Sequence, residues 1–230
     1  MTGTSHADLS HLHVVIPLRS LVGGKLRLGD AVDAEERETL LLGMLLHAVA
    51  IVRSWPPCEH VHVVTTDPEV CDVATVAGAR AVLQETDGLN EALVLGRETA
   101  TAAGATAILV LPADLPYLTI EALDRLLDAA DAAVAAGAGR PVVVIAPAGA
   151  RGGTSALLLS PPDVIEPRFG MSSLEAHIRE AASADASVQL VADHALGFDL
   201  DTPEDLERLE PATLAALIER GASRLASTVE

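Results

Sequence analysis

Three short segments hold the side chains best able to do chemistry. The first, Pro17-Leu18-Arg19-Ser20-Leu21-Val22-Gly23-Gly24-Lys25-Leu26-Arg27, gathers Arg19, Lys25 and Arg27 with Gly23 and Gly24. Glycines let a main chain close on phosphate oxygens, and the cations neutralise them. Only 15 Lys and Arg occur in 230 residues, so three in one loop are a concentration rather than a background. The second segment is Asp114, directly after the apolar run Thr106–Leu111, and the third is Asp199-Leu200-Asp201. Residues two apart in an extended chain face the same side, so Asp199 and Asp201 can reach one cation, and a strand-end Asp114 can join them. A plainer assignment stays open, with Asp114 a turn residue, Asp201 part of the cap of the helix that follows and Asp199 a solvated acid.

Weaker signals lie elsewhere. Asn90, in Asp87-Gly88-Leu89-Asn90, stands at a helix start, where it can cap or meet a ribose or base edge. Gly152-Gly153-Thr154-Ser155 and Arg168-Phe169-Gly170-Met171-Ser172-Ser173 each offer main-chain N–H groups and hydroxyls to an anion. The eight histidines show no metal-binding spacing; His60 and His62 share a strand face and His11 and His13 flank the first strand, which reads as solvated or satisfied. Neither Cys58 nor Cys71 lies in a nucleophile or CxxC motif, and both read as reduced thiols.

These groups need a scaffold that presents loops at one edge. Half the residues are apolar but only 2% are aromatic, so the core is Val, Leu, Ile and Ala, which suits helices on a buried parallel sheet. Short β-branched runs alternate with helical periodicity: strands at Leu12–Pro17, His60–Thr66, Ala79–Gln84, Thr106–Leu111, Pro141–Ala146, Thr154–Leu159 and Ser187–Ala192. Helices are expected at Ala34–Arg53, Gly88–Ala103, Ile120–Val134 and Ser172–Ala182, with an Ala/Gly loop over Ala132–Gly139. Two more begin at Thr202-Pro203-Glu204 and near Pro211, the first with Thr202 as N-cap and Pro203 at N1. The expected fold is α/β, a single doubly wound domain over 1–230 with a mixed, mostly parallel sheet, residues 1–10 flexible and 211–230 a C-terminal helix. Ligands belong at the carboxyl ends of its strands.

Charge narrows the partners. The 33 Asp and Glu leave a net charge of -18, which repels nucleic acid and anionic membrane surfaces at long range. The longest apolar helical stretch, Leu40–Val52, contains His47 and falls short of the roughly 20 residues of a membrane span. With no basic, apolar leader at its start, the chain is expected to be cytoplasmic. Oligomeric state is not readable.

Taken in order, Lys25-Leu26-Arg27-Leu28, Leu89-Asn90-Glu91-Ala92, Leu111-Pro112-Ala113-Asp114-Leu115-Pro116, Gly153-Thr154, Arg168-Phe169-Gly170 with Ser173, and Asp199-Leu200-Asp201-Thr202-Pro203-Glu204-Asp205-Leu206 resemble one family. It is the guanylyltransferase family of coenzyme F420 biosynthesis, which joins GTP to 2-phospho-L-lactate or phosphoenolpyruvate. The resemblance covers about residues 12–210 and implies a nucleotidyltransferase, GT-A-like fold. It also implies Mg²⁺ at Asp114, Asp199 and Asp201, and the acceptor at Thr154, Gly170 and Ser173. Lys25 and Arg27 would face the triphosphate, with Arg19, Gly23 and Gly24 in the same nucleotide loop, and Asn90 the nucleoside. Of the two acceptors, phosphoenolpyruvate is the expected one. Arg19 departs from a common Lys, and Ala148-Gly149-Ala150-Arg151 lacks an acid often found before Gly-Gly-Thr. Other nucleotidyltransferases, such as a molybdopterin guanylyltransferase or a sugar-phosphate nucleotidyltransferase, share single motifs, as would a non-catalytic nucleotide-binding module.

Overall fold

β1 (Leu12–Pro17) is buried from Leu12 to Ile16, because it lies in the sheet interior with a parallel neighbour on either side. The computed structural model describes residues 7–21, 25, 28–29, 32–137, 139–149 and 152–226. After β1 come α1 (Ala34–Ser54), β2 (Cys58–Thr65), α2 (Pro68–Val76), β3 (Arg80–Leu83), α3 (Leu89–Ala102), β4 (Ala107–Val110) and α4 (Ile120–Ala136). The second half holds β5 (Val142–Ala148), β6 (Gly153–Ser160), α5 (Ser173–Ser183), β7 (Ser187–Leu190), α6 (His194–Gly197), α7 (Pro203–Arg208) and α8 (Pro211–Ala226). The strand order is β3-β2-β1-β4-β6-β5-β7, parallel except for β6, which runs antiparallel to both β4 and β5.

Alternation along each strand divides the core. Val14, Ile16, Val63, Leu109, Val144 and Leu158 face one helix layer; Val15, Val64, Ile108, Val110, Ile145 and Leu157 face the other. Each fully buried Val or Leu contributes about 1.5–3 kcal/mol over leaving it in water, which is how a core poor in aromatics holds. On the first face α8 lies against α1 at main-chain contact: a Cβ on Gly43 would meet the Leu217 carbonyl oxygen at 1.9 Å, and one on Gly221 the Thr39 carbonyl oxygen at 2.0 Å.

Local signals set most helix starts. Asp33 and Glu36 form a capping box at α1, and Thr202 and Asp205 another at α7, with Pro203 in the first turn. Three expectations need correction. The Ala/Gly stretch after Ala132 is helical to Ala136, since Ala favours helix and only Gly137 ends it. Two short helices, α2 and α6, add to those expected, each started by an aspartate cap, Asp67 and Asp193. The leader is anchored from Asp8, whose N–H donates to Ser160 Oγ (2.8 Å) while that hydroxyl donates to Asp8 O (2.9 Å). Among the described residues no helix is long and apolar enough to cross a membrane.

Candidate active site

Asp114 lies four residues beyond the end of β4. Its carbonyl accepts the Leu200 N–H (3.1 Å), which docks the Asp199–Asp201 segment onto the strand end. Leu200 is fully buried and its two neighbours are partly exposed, the alternation expected of extended chain. The segment is held from behind as well: the buried Asp205 carboxylate accepts from Asp201 N (3.2 Å), Thr202 N (3.0 Å) and Thr202 Oγ1 (2.8 Å). Asp201 is therefore not the cap of α7; Thr202 is, leaving the Asp201 carboxylate to the site.

Between these segments sits Lys25, in left-handed backbone at φ +51°. Its ammonium donates to Asp114 Oδ2 and Asp201 Oδ1 and is nearly buried, while the carboxylates keep about a quarter of their surface. Burial opposes the charge on Lys25, but Asp114 and Asp201 outweigh it and hold its pKa above the ordinary value. Asp114 Oδ1 is buried and accepts no hydrogen bond. Two carboxylates around the Lys25 ammonium, one with an unused buried oxygen among the described residues, fit a hard divalent ion, because their donors are all oxygen. Asp199 lines a cleft of about 610 Å³ with Asp205 and Arg208, which Lys25, Asp114 and Asp201 do not line, and the three aspartates do not gather their oxygens within 4.8 Å of one another. Gly23, Gly24 and Arg27 lie outside the described residues.

Toward β2 the loop is fixed by Leu18 N–H on Val64 O (2.9 Å) and by the Arg19 carbonyl. Arg19 O accepts from Thr66 N (3.1 Å), Thr65 Oγ1 (2.9 Å) and Thr66 Oγ1 (2.8 Å). The Arg19 guanidinium reaches outward to clasp Asp87 with two bonds (3.0 and 2.7 Å) across the mouth of a cleft of about 410 Å³ that Gln84 and Gly88 also line. The pair is exposed on both sides, so the guanidinium rests on Asp87 while staying accessible to solvent. Asn90 does not cap its helix. Gly88 occupies the N-cap of α3, and the Asn90 carboxamide binds the Phe169 peptide, accepting from Phe169 N (2.8 Å) and donating to Phe169 O (3.1 Å). One N–H and one lone pair of the carboxamide are left for a nucleoside.

Thr154, Gly170 and Ser173 come together through α5. The register Val110↔Leu157 brings the start of antiparallel β6 to the carboxyl end of β4, so Thr154 shares the sheet edge of Asp114. Ser173 Oγ is buried without a partner, next to Gly153. Gly170 has φ +132°, which favours glycine, and no atom lies within 4 Å of where its Cβ would be. His177, one turn along α5 from Ser173, is the residue that sequence reasoning missed. Its Nε2 accepts the Arg168 N–H (2.9 Å), so Nδ1 carries the proton and donates to Thr154 Oγ1 (3.0 Å). Burial pushes the His177 pKa down to about 4, which keeps the ring neutral and this tautomer in place. Its i, i+4 spacing from Ser173 was the available signal.

Residues 12–210 match the family described as guanylyl transferase CofC like. The chain belongs to that family. It is 42% identical to the phosphoenolpyruvate guanylyltransferase of Rubrobacter xylanophilus over 85% of this chain and 92% of that one. It is 30% identical to the 3-phospho-D-glycerate guanylyltransferase of Colwellia psychrerythraea over 94% and 98%. Among solved structures, a putative nucleotide-diphospho-sugar transferase from Desulfovibrio desulfuricans G20 superposes with a TM-score of 0.72 at 18% identity, over 93% of this chain and 96% of that one. The fold is therefore that of the nucleotidyltransferases, and the activity of a CofC-like guanylyl transferase is transfer of GMP to an acceptor. Such a reaction brings two anions together, which is the task that a cation between carboxylates at a strand edge can serve.

Proposed function

We propose that the chain transfers GMP from GTP to phosphoenolpyruvate, releasing pyrophosphate, with Mg²⁺ as its cofactor. The observation that carries this reading is the meeting of Lys25, Asp114 and Asp201 from three distant segments at the sheet edge that also holds Thr154 and Ser173. Asp114, Asp201 and Asp199 would hold the Mg²⁺, which supplies charge neutralisation on the triphosphate. Lys25 would exchange its carboxylate partners for a phosphate oxygen, the group that the sequence also assigns to Gly23, Gly24 and Arg27.

The acceptor side needs no general base. A phosphate monoester is largely dianionic at neutral pH and attacks the α-phosphorus in line, so the protein's contribution is positioning and screening. Ser173 Oγ has its hydrogen-bonding capacity unused, and Gly170 leaves its main chain open to approach. His177 holds Thr154 and the Arg168–Gly170 turn in one arrangement from behind. Asn90 joins that turn to α3.

The relative at 42% identity is named for phosphoenolpyruvate, which favours that acceptor over 2-phospho-L-lactate and 3-phospho-D-glycerate. The test is pyrophosphate release and product mass with the full chain, GTP, Mg²⁺ and each of the three acids in turn. Phosphoenolpyruvate should give the guanosine diphospho adduct at the highest rate. Preference for another acid replaces the acceptor, and no pyrophosphate with any of them sinks the reading.

A further inference from the structure

At the other end of β1 and β2 lies a group of side chains that guanylyl transfer does not use. Register pairing sets His13 beside His60 and Val15 beside His62, and Val15 faces the same helix layer as Val64. The sequence reading of these histidines as solvated or satisfied fails here. His13 and His62 are fully buried, joined by Nδ1 and Nε2 at 3.1 Å, and the outer nitrogens, His13 Nε2 and His62 Nδ1, have no partner. A buried ring nitrogen without a partner carries a desolvation cost of about 1–3 kcal/mol.

His13 Nε2 is aimed at a more exposed pair. It lies 3.9 Å from Glu59 Oε2, and the other carboxylate oxygen is 3.8 Å from His60 Nε2. One ligand atom from each of His13, Glu59 and His60 falls within 4.8 Å of the others. Tetrahedral zinc with bonds of about 2.0–2.1 Å separates its ligand atoms by about 3.3 Å, so side-chain rotations that bring the three ligand atoms in from within 4.8 Å would complete the set. We propose that His13, Glu59 and His60 form a binding site for a transition-metal ion of the Zn²⁺ class, tying the amino ends of β1 and β2 together. Two imidazoles and one carboxylate suit such an ion and not Mg²⁺, whose donors are oxygen.

The surroundings fit that assignment. With the His13 Nε2 lone pair turned to a metal, its Nδ1–H donates to His62 Nε2, the outer contact that commonly orients a ligating histidine. His11 Nδ1, 2.8 Å from Glu59 Oε2, stands where a further ligand could enter. Arg80 opposes binding, since its Nη2 donates to His60 Nε2 at 2.9 Å and must let go. The site is separate from the aspartates: His13 pairs with Ile108 near the start of β4, whereas Asp114 lies beyond the opposite end of that strand.

The test titrates metal-free full-length protein with Co²⁺, followed by its visible absorption, and then displaces it with Zn²⁺. One Co²⁺ per chain is expected, in 10 mM Mg²⁺ as without it, on the order of the excess needed to fill an oxygen site. Glu59→Gln, at an exposed position, and His60→Ala, at a half-buried one, should weaken Co²⁺ binding at least tenfold while leaving Mg²⁺-supported GTP turnover unchanged. Arg80→Ala should tighten it. Absence of a Co²⁺ spectrum, wild-type affinity in both ligand variants, weaker binding in Arg80→Ala, or loss of the spectrum in Asp114→Asn instead would overturn the site.

Discussion

Lys25→Met removes a cation and keeps most of the side-chain volume. At ordinary charge-assisted distances, two carboxylate oxygens sharing one ammonium stand about 4.6 Å apart. Without the ammonium they repel by about 3.5 kcal/mol at an effective dielectric of about 20. Asp114 and Asp201 keep 24% and 25% of their surface, so solvent lowers the cost to about 1–3 kcal/mol. For a chain of this size that is a fall of roughly 2–10 °C in Tm. The position vacated by the ammonium is also the one between two anions that a divalent ion would take, so the variant should bind Mg²⁺ or Mn²⁺ more tightly than the wild type. Thermal denaturation across a Mg²⁺ series reads this directly: the variant's Tm should rise more steeply and approach the wild-type value. GTP turnover should move the other way, falling about ten- to a hundredfold with the loss of one charge-assisted phosphate contact worth roughly 1.5–3 kcal/mol. Equal Mg²⁺ dependence of Tm in the two proteins would refute the idea that Lys25 stands where a metal would.

Asn90→Ala deletes both bonds to the Phe169 peptide and should cost about 1–3 kcal/mol in urea denaturation, with a rise in acceptor KM larger than that for GTP; unchanged stability would mean that the carboxamide does not hold the turn. The His177 pKa of about 4 lies below the ordinary 6.5, so the unfolded chain takes up the proton first. The stability this neutral ring supplies is complete above pH 6.5 and is lost as pH falls toward 4, by about 3 kcal/mol. Denaturation of wild type and His177→Gln at pH 7 and pH 4 should show the wild type losing that much more, whereas parallel losses would refute it. Gly43→Ala places a methyl group against the Leu217 carbonyl and should destabilise by about 1–3 kcal/mol by moving α8 off α1; wild-type urea stability would contradict the close contact.

The strand and helix alternation was legible because apolar period and cap chemistry agree locally: Asp33 with Glu36, and Thr202 with Pro203 and Asp205, announce their helices within four residues. The short helices α2 and α6 carry the same aspartate caps, but they are too brief for an apolar period to register. At the site, the types of Lys25, Asp114 and Asp201 suggested phosphate and cation chemistry, yet nothing local indicates that the ammonium rests on the carboxylates. That contact joins residues 89 and 176 positions apart. Asn90 illustrates the same limit: its partner is the Phe169 peptide, 79 residues on, and a helix-start asparagine looks identical whether it caps or clasps. The burial of His13 and His62 was hidden because a histidine on an interior strand reads as polar until its neighbours across the sheet are known.

The reversed strand β6 gives the molecule a division of labour along its length. Everything that faces the cleft beside Arg19 precedes Asp114, and Thr154, Gly170, Ser173 and His177 all follow it. A strand laid parallel would have sent Thr154 to the far edge; running backward, β6 delivers its beginning where the other strands deliver their ends. Under the proposed function, substitutions in the later half would retune which small acid is accepted while the cleft beside Arg19 stays as it is. Beside the links Lys25–Asp201 and Asn90–Phe169, the hydrogen bond from Leu200 to Asp114 carries the chain back across the sheet edge after the second half has been built.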